Sequence, residues 1–294
     1  IDHPMILKVR DMIHSPLPRV AILQFPGSNC ETETARAIQA AGLQPEIFRW
    51  NRPAAELEPF DAYIIPGGFS YEDRVRAGVI AAKEPLLETL AQQAEKGKPV
   101  LGICNGAQIL LESGLLPGLH PGRVEMALAP NYMTRGGHVV RRGHHCAWIN
   151  LRCDTPPSRT PFTRKLNQNQ ILPMTLSHGE GRFISENPDI LRALDEQNLI
   201  LWRYCGPQGE IDPEFPINPN GSYANIAGIC NPRGNVAALM PHPERAFFLH
   251  QVPANWPGEW GEKRRQATGR PGRWNEPGPG YALFASLADY FFST

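Results

Sequence analysis

The chain has 294 residues, 41% of them apolar, and carries 29 Lys and Arg against 29 Asp and Glu, a formal net charge of zero. That length suits one large α/β domain or two small ones, and folding buries well over half of the unfolded surface, so a self-sufficient core is expected. The charge balance excludes a bulk attraction to nucleic acid or to an anionic membrane, and no apolar run reaches the roughly 18 residues of a membrane span. Six cysteines, none in a C-x-x-C pair, point in a chain this size to reduced thiols and a soluble, cytoplasmic protein. The first residue is Ile1 rather than Met, which leaves the natural start open.

Residues 1–18 mix polar residues, Pro and His without a period and are expected to form an N-terminal arm, followed by a single domain over 19–294. Val20, Ala21, Ile22 and Leu23 form a short apolar run ending at Pro26-Gly27, as in a buried parallel strand. Ser28 and Glu31 have capping-box spacing, Ala35, Ile38 and Ala41 share a helical face, and Gly42 is placed to end that helix. Residues 46–50 and 62–65 read as strands, the second stopped by Pro66-Gly67-Gly68. A helical stretch over 79–96 follows, with Leu86, Leu87, Leu90, Ala91 and Ala94 as its stripe; Pro85 either kinks it or begins a new first turn. Residues 99–103 make a further strand running into Cys104, and Ala107, Leu110 and Leu111 keep helical spacing to Gly114.

Alternating β and α segments with short loops predict a doubly wound, mostly parallel sheet with flanking helices. From 122 to 202 the pieces shorten, as in 138–140 and 146–149, predicting a smaller mixed or antiparallel β portion folded against the first. Residues 252–280 are rich in Gly, Pro and Trp, with basic Lys263, Arg264 and Arg265, and read as a surface loop or lid before a closing helix over 281–292.

The strongest chemical signal is Gly102-Ile103-Cys104-Asn105-Gly106 between a strand and a helix, the cysteine form of the nucleophile elbow. A helix N-terminus there favours a thiolate; the competing reading is a buried structural cysteine. A thiol nucleophile needs a base and the base an orienting group. His242 and Glu244, two apart in an extended segment, would face one pocket and supply both. Glycines at Pro66-Gly67-Gly68 either make a plain turn or let backbone N–H groups of Gly68 and Asn105 form an oxyanion hole. Cys30 has no base near it in sequence and reads as structural. His138, His144, His145, Cys146 and Cys153 match no zinc spacing, and Arg135, Arg141 and Arg142 among them would repel a cation. That stretch reads as a solvated or interface surface.

A Gly-Gly turn, an elbow cysteine and a late His-x-Glu, in this order, resemble the class I glutamine amidotransferases. The phrases at 25–30, 66–71, 102–106, 178–182 (His-Gly-Glu-Gly-Arg) and 240–245 are similar to those of the glutaminase subunits of phosphoribosylformylglycinamidine synthases. The resemblance implies a flavodoxin-like fold and hydrolysis of L-glutamine through a thioester on Cys104, with His242 as base and Glu244 orienting it. It implies that Gln108, His178 and Gly179 bind the glutamine. It also implies no cofactor in this chain. ATP and Mg would be used by a large synthetase subunit that receives the ammonia to make an amidine, and a small third subunit would complete the complex. Two departures stand out. One is Glu72, where the family usually has Gly and a side chain restricts a backbone that glycine leaves free. The other is the stretch 252–280, longer than in the compact subunit, whose Trp256, Trp260 and Trp274 resemble the C-terminal glutaminase domain of the single-chain enzyme, of which this chain would then be a piece. The triad also fits a glutaminase serving another synthetase, and the fold also admits a non-catalytic binding or scaffold member or a hydrolase or chaperone that does not use glutamine, although the last would lack the late His-Pro-Glu.

Overall fold

The computed structural model describes residues 16–293; most of the expected arm over 1–18 lies outside them. In chain order the parallel half begins with β1 (Arg19–Gln24), α1 (Glu31–Ala40), β2 (Gln44–Arg49) and β3 (Ala62–Ile65). It continues with α2 (Pro85–Glu95), β4 (Val100–Ile103) and α3 (Asn105–Glu112). Next come β5 (Ala127–Pro130), β6 (Tyr132–Arg135), β7 (His138–Arg142) and β8 (His145–Cys153). Then follow β9 (Ile171–His178), β10 (Glu180–Ile184), α4 (Pro188–Glu196) and β11 (Ile200–Cys205). The chain closes with β12 (Ile226–Cys230), β13 (Val236–Leu239), α5 (Glu259–Ala267) and α6 (Tyr281–Phe292).

One nine-stranded sheet runs β2-β1-β3-β4-β13-β12-β11-β8-β9. From β2 to β13 every pairing is parallel; from β13 to β9 every pairing is antiparallel. The expected smaller antiparallel portion is present, and it extends the same sheet instead of folding against the parallel half. Two small two-stranded ladders, β10 with β5 and β6 with β7, stand beside it. The sequence of β1, β3 and β4 explains their place: each is apolar on both faces and buried throughout its centre, as a strand covered by helices on both sides must be.

Local expectations fare unevenly. Ser28 does not cap α1: its Oγ accepts from the Phe25 N–H at 3.0 Å, Glu31 accepts from the Gln24 amide, and Cys30 takes the cap position. The helix buries Thr34, Ala37 and Ile38, with Ala35 only partly covered and Ala41 beyond its end. The stretch 79–96 divides into a single 3-10 turn, Ala81–Lys83, and α2, with Pro85 at its first position, where a missing N–H costs nothing. Residues 252–280 are not only loop, since they contain α5. That segment rests on its own small cluster of Leu249, Val252 and Ala267, with Trp148, Trp256 and Trp260 against it. α6 buries Leu283, Phe284 and Leu287 in the main core, each contributing about 1.5–3 kcal/mol.

Candidate active site

Parallel register brings the site together. Ile103 at the end of β4 lies beside Leu239 at the end of β13, and the Cys104 N–H bonds the Leu239 carbonyl at 2.9 Å. Cys104, next after β4, and His242, three residues beyond β13, thus leave the sheet at the same end, the carboxyl ends of parallel strands where open α/β sheets place their ligands. His242 is pinned by its N–H to the Thr175 carbonyl of β9 at 2.8 Å.

Cys104 has φ 53° and ψ −106°, a strained backbone for a residue with a side chain, and the turn holds it at the start of α3. The turn is tight because α3 packs directly on β3. A Cβ on Gly106 would come within 2.0 Å of the Ile65 carbonyl oxygen, so no larger residue fits there. The Cys104 sulfur faces the Ser177 carbonyl at 3.7 Å.

His242 and Glu244 are both buried, and Nδ1 meets Glu244 Oε1 at 2.6 Å. They meet across a 3-10 turn, Pro243–Arg245, and not along the extended segment expected. Only His242 itself is extended; the turn folds the carboxylate back onto the ring. Burial pulls the His242 pKa down, but the adjacent Glu244 charge and the Cys104 thiol outweigh it, and the net direction is well above the ordinary value. A ring so placed readily accepts a proton.

Gly68 lies in an isolated antiparallel bridge to Ser28. The bridging bonds run from Phe69 to Gly27 and from Asn29 to Gly67, so they leave the Gly68 N–H out. Asn105 is the first residue of α3, among the positions whose N–H has no helical partner. Its side chain accepts from the Ser70 N–H at 3.1 Å and donates to Gln108 Oε1 at 2.8 Å. Gln108 in turn donates to the Glu180 carbonyl at 2.6 Å. Its carboxamide ties the elbow to β10, with one N–H and one lone pair to spare for a ligand.

His178 is buried, and burial lowers its pKa to about 3, so the ring is neutral. Asn131, also buried, holds this corner: it donates to the His178 carbonyl at 2.8 Å and stands 3.2 Å from His178 Nδ1. Its backbone N–H bonds the Gly179 carbonyl at 2.8 Å and its Oδ1 accepts from Gly181 at 3.0 Å. His178 Nε2 is buried without a partner.

Glu72 has φ 58° within a left-handed run with Tyr71 and Asp73, the backbone its missing glycine would favour. Asn131 and Cys30 were not anticipated as site residues. Cys30 does have a base beside it, 4.0 Å from His242 Nδ1, although 212 residues separate them; nothing local in the sequence could carry that signal. Among the described residues the grouping of Cys, His and carboxylate atoms close enough for a cation is Cys30, His242 and Glu244, within 4.8 Å. The Arg245 guanidinium, 3.0 Å from the Cys30 sulfur, sets a positive charge against it. The residues from His138 to Cys153 form no such grouping.

An elbow cysteine, a buried His–Glu pair and a Gly-Gly turn thus lie together at the carboxyl ends of these parallel strands. The model of the CobB/CobQ-like glutamine amidotransferase domain matches residues 17–291. The chain belongs to this glutamine amidotransferase family and, within it, to the group of phosphoribosylformylglycinamidine synthase subunits called PurQ. It is 54% identical over 239 residues to that subunit of Methanothrix thermoacetophila, covering 81% of this chain and 90% of the relative. It is 45% identical to that of Symbiobacterium thermophilum, covering 78% and 88%. Among solved structures it is similar to a chain in the structure of PurLQS from Thermotoga maritima, with a TM-score of 0.67 and 28% identity over 94% of this chain and 100% of that one. A putative GMP synthase subunit from Thermoplasma acidophilum, at 14% identity and a TM-score of 0.53 over 95% of this chain and 96% of that one, shares the fold.

Proposed function

We propose that this chain hydrolyses L-glutamine to glutamate and ammonia and passes the ammonia to the synthetase subunit of phosphoribosylformylglycinamidine synthase. The observation that carries this reading is the pairing of His242 with Glu244 at 2.6 Å beside a strained elbow cysteine. With Nδ1–H held by the carboxylate, Nε2 is the nitrogen that takes the Cys104 proton. The sulfur attacks the side-chain amide carbon of glutamine, and N–H groups at Gly68 and Asn105 hold the oxygen that becomes negative. His242 returns its proton to the departing nitrogen, ammonia leaves, and a γ-glutamyl thioester remains. His242 then takes a proton from water, whose oxygen attacks the thioester carbon and releases glutamate and the free thiol.

Gln108 and the corner at His178 and Gly179 bind the amino-acid end of the substrate in this reading, supported by their position beside the elbow. Thiol and imidazole suffice for amide hydrolysis, so the chain needs no cofactor of its own. ATP and Mg belong to the partner, which turns an amide into an amidine, and a small third subunit completes the assembly. The site works in the cytoplasm, where thiols stay reduced.

The test is Cys104→Ala in the assembled complex. Glutamine-dependent synthesis should fall by at least about a thousandfold, the scale of losing a nucleophile, while synthesis from free ammonia continues. Loss of both in a folded complex would contradict separate sites.

A further inference from the structure

Cys30 takes no part in the hydrolysis, yet it stands against the residue that moves every proton in it. It caps α1 and is 1% exposed. Its sulfur lies 4.0 Å from His242 Nδ1, the nitrogen already bonded to Glu244. The thiol donates to Asn29 Oδ1 at 3.1 Å, and the sulfur accepts from Arg245 Nη2 at 3.0 Å. Both contacts fix its direction. The neighbouring wall is Gly67: a Cβ there would come 2.6 Å from His242 Cε1 and 3.1 Å from the Cys30 sulfur. Gly67 and the Cys30 sulfur therefore crowd the same edge of the ring, and a side chain at Gly67 would displace both.

We infer that Cys30 is a positioning residue for the base: its sulfur, aimed by Asn29 and Arg245, holds the His242 ring where Nδ1–H meets Glu244 and keeps the Arg245 cation off the imidazole. The inference rests on reading His242 as the base. Burial pushes the Cys30 thiol up, so it stays protonated beside Arg245 and cannot compete as a nucleophile. The charged and titratable groups facing the ring are Glu244 and Arg245 on its own turn, Cys104 from the elbow, Cys30 from the start of α1 and His178 from β9. Arg245 also stands 3.7 Å from Glu33 of α1. Removing the sulfur lets the ring turn away from Glu244 and lets the guanidinium approach it. Both changes disfavour the imidazolium that forms when Cys104 gives up its proton.

The experiment is site-resolved alkylation of Cys104 by iodoacetamide as a function of pH, followed by mass spectrometry, on the full chain and its Cys30→Ala and Cys30→Ser variants. In this reading His242 takes the Cys104 proton, so the alkylation rate of Cys104 reports where the ring stands. Cys30→Ala should slow that reaction about tenfold near neutrality, equivalent to one pK unit in the coupled pair, and converge with the native rate in alkali where a thiol ionises unaided. Cys30→Ser, which preserves a small polar atom at the same place, should recover most of the neutral rate. A native profile in Cys30→Ala, a slowing equal at every pH, or a Ser variant no better than Ala would each overturn the positioning role. A native chain whose Cys104 reacts no faster near neutrality than an ordinary thiol would instead remove the base–nucleophile reading, and the role of Cys30 with it.

Discussion

At the scale of single residues, Cys104 and Glu72 are two of the nine non-glycine side chains held at positive φ among the described residues. Cys104 bears its positive φ because the elbow must expose a sulfur at a helix start. Glu72 bears φ 58° with no comparable return: it is exposed, and its ion pair with Arg74 joins two side chains more than 70% exposed, a pairing of little worth in water. A left-handed backbone costs a non-glycine residue about 1–2 kcal/mol, and glycine returns about 0.4–1 kcal/mol of this through the unfolded chain. Glu72→Gly should therefore raise stability by roughly 0.5 kcal/mol, seen as a small increase in the denaturant midpoint with an unchanged slope. A lowered midpoint would mean that Glu72 makes a contribution beyond its backbone. The sequence exposed this position only through its departure from a family pattern, and the reason lies in a dihedral angle that composition does not carry.

At the scale of elements, what could be read in advance followed from burial. β1, β3 and β4 are continuous apolar runs because both their faces are covered, and α6 matches the expected 281–292. α5 was missed because it buries little more than Gly261 and Ala267 and shows charge on nearly every side, leaving no stripe to find. The capping box failed because Ser28 satisfies the Phe25 N–H instead, a choice set by the turn around Gly27. Cys104, His242 and Glu244 stand out in the sequence as motifs, but the clamp at Asn131 does not, since its partners lie near 143, 178 and 181. That clamp fixes the corner proposed to receive glutamine. Asn131→Ala leaves the Gly181 N–H and two carbonyls short of partners in a buried place, at a cost of about 1–3 kcal/mol. In a steady-state assay KM for glutamine should rise more than kcat falls. A fall in kcat alone would place the clamp's effect on the triad.

At the scale of the whole molecule, a single sheet unites two kinds of strand pairing, and the site lies where they meet. β13 is parallel to β4 and antiparallel to β12. The parallel side delivers Cys104, and β9 from the antiparallel side grips the His242 backbone through Thr175. A zero net charge also conceals an uneven surface: β7 is exposed along its length and carries His138, Arg141 and Arg142. The amidotransferase family match runs from 17 to 291, across the basic hairpin and α5 as well as Cys104, His242 and Glu244.

Everything proposed for this site turns on the Cys104 sulfur being the atom that glutamine meets. The most direct test is mass spectrometry after exposure to 6-diazo-5-oxo-norleucine, with and without competing glutamine, on the chain in complex with its synthetase subunit. A single adduct on Cys104 that glutamine suppresses is the expected result. An adduct on Cys30, or none at all under conditions where the complex consumes glutamine, would contradict it.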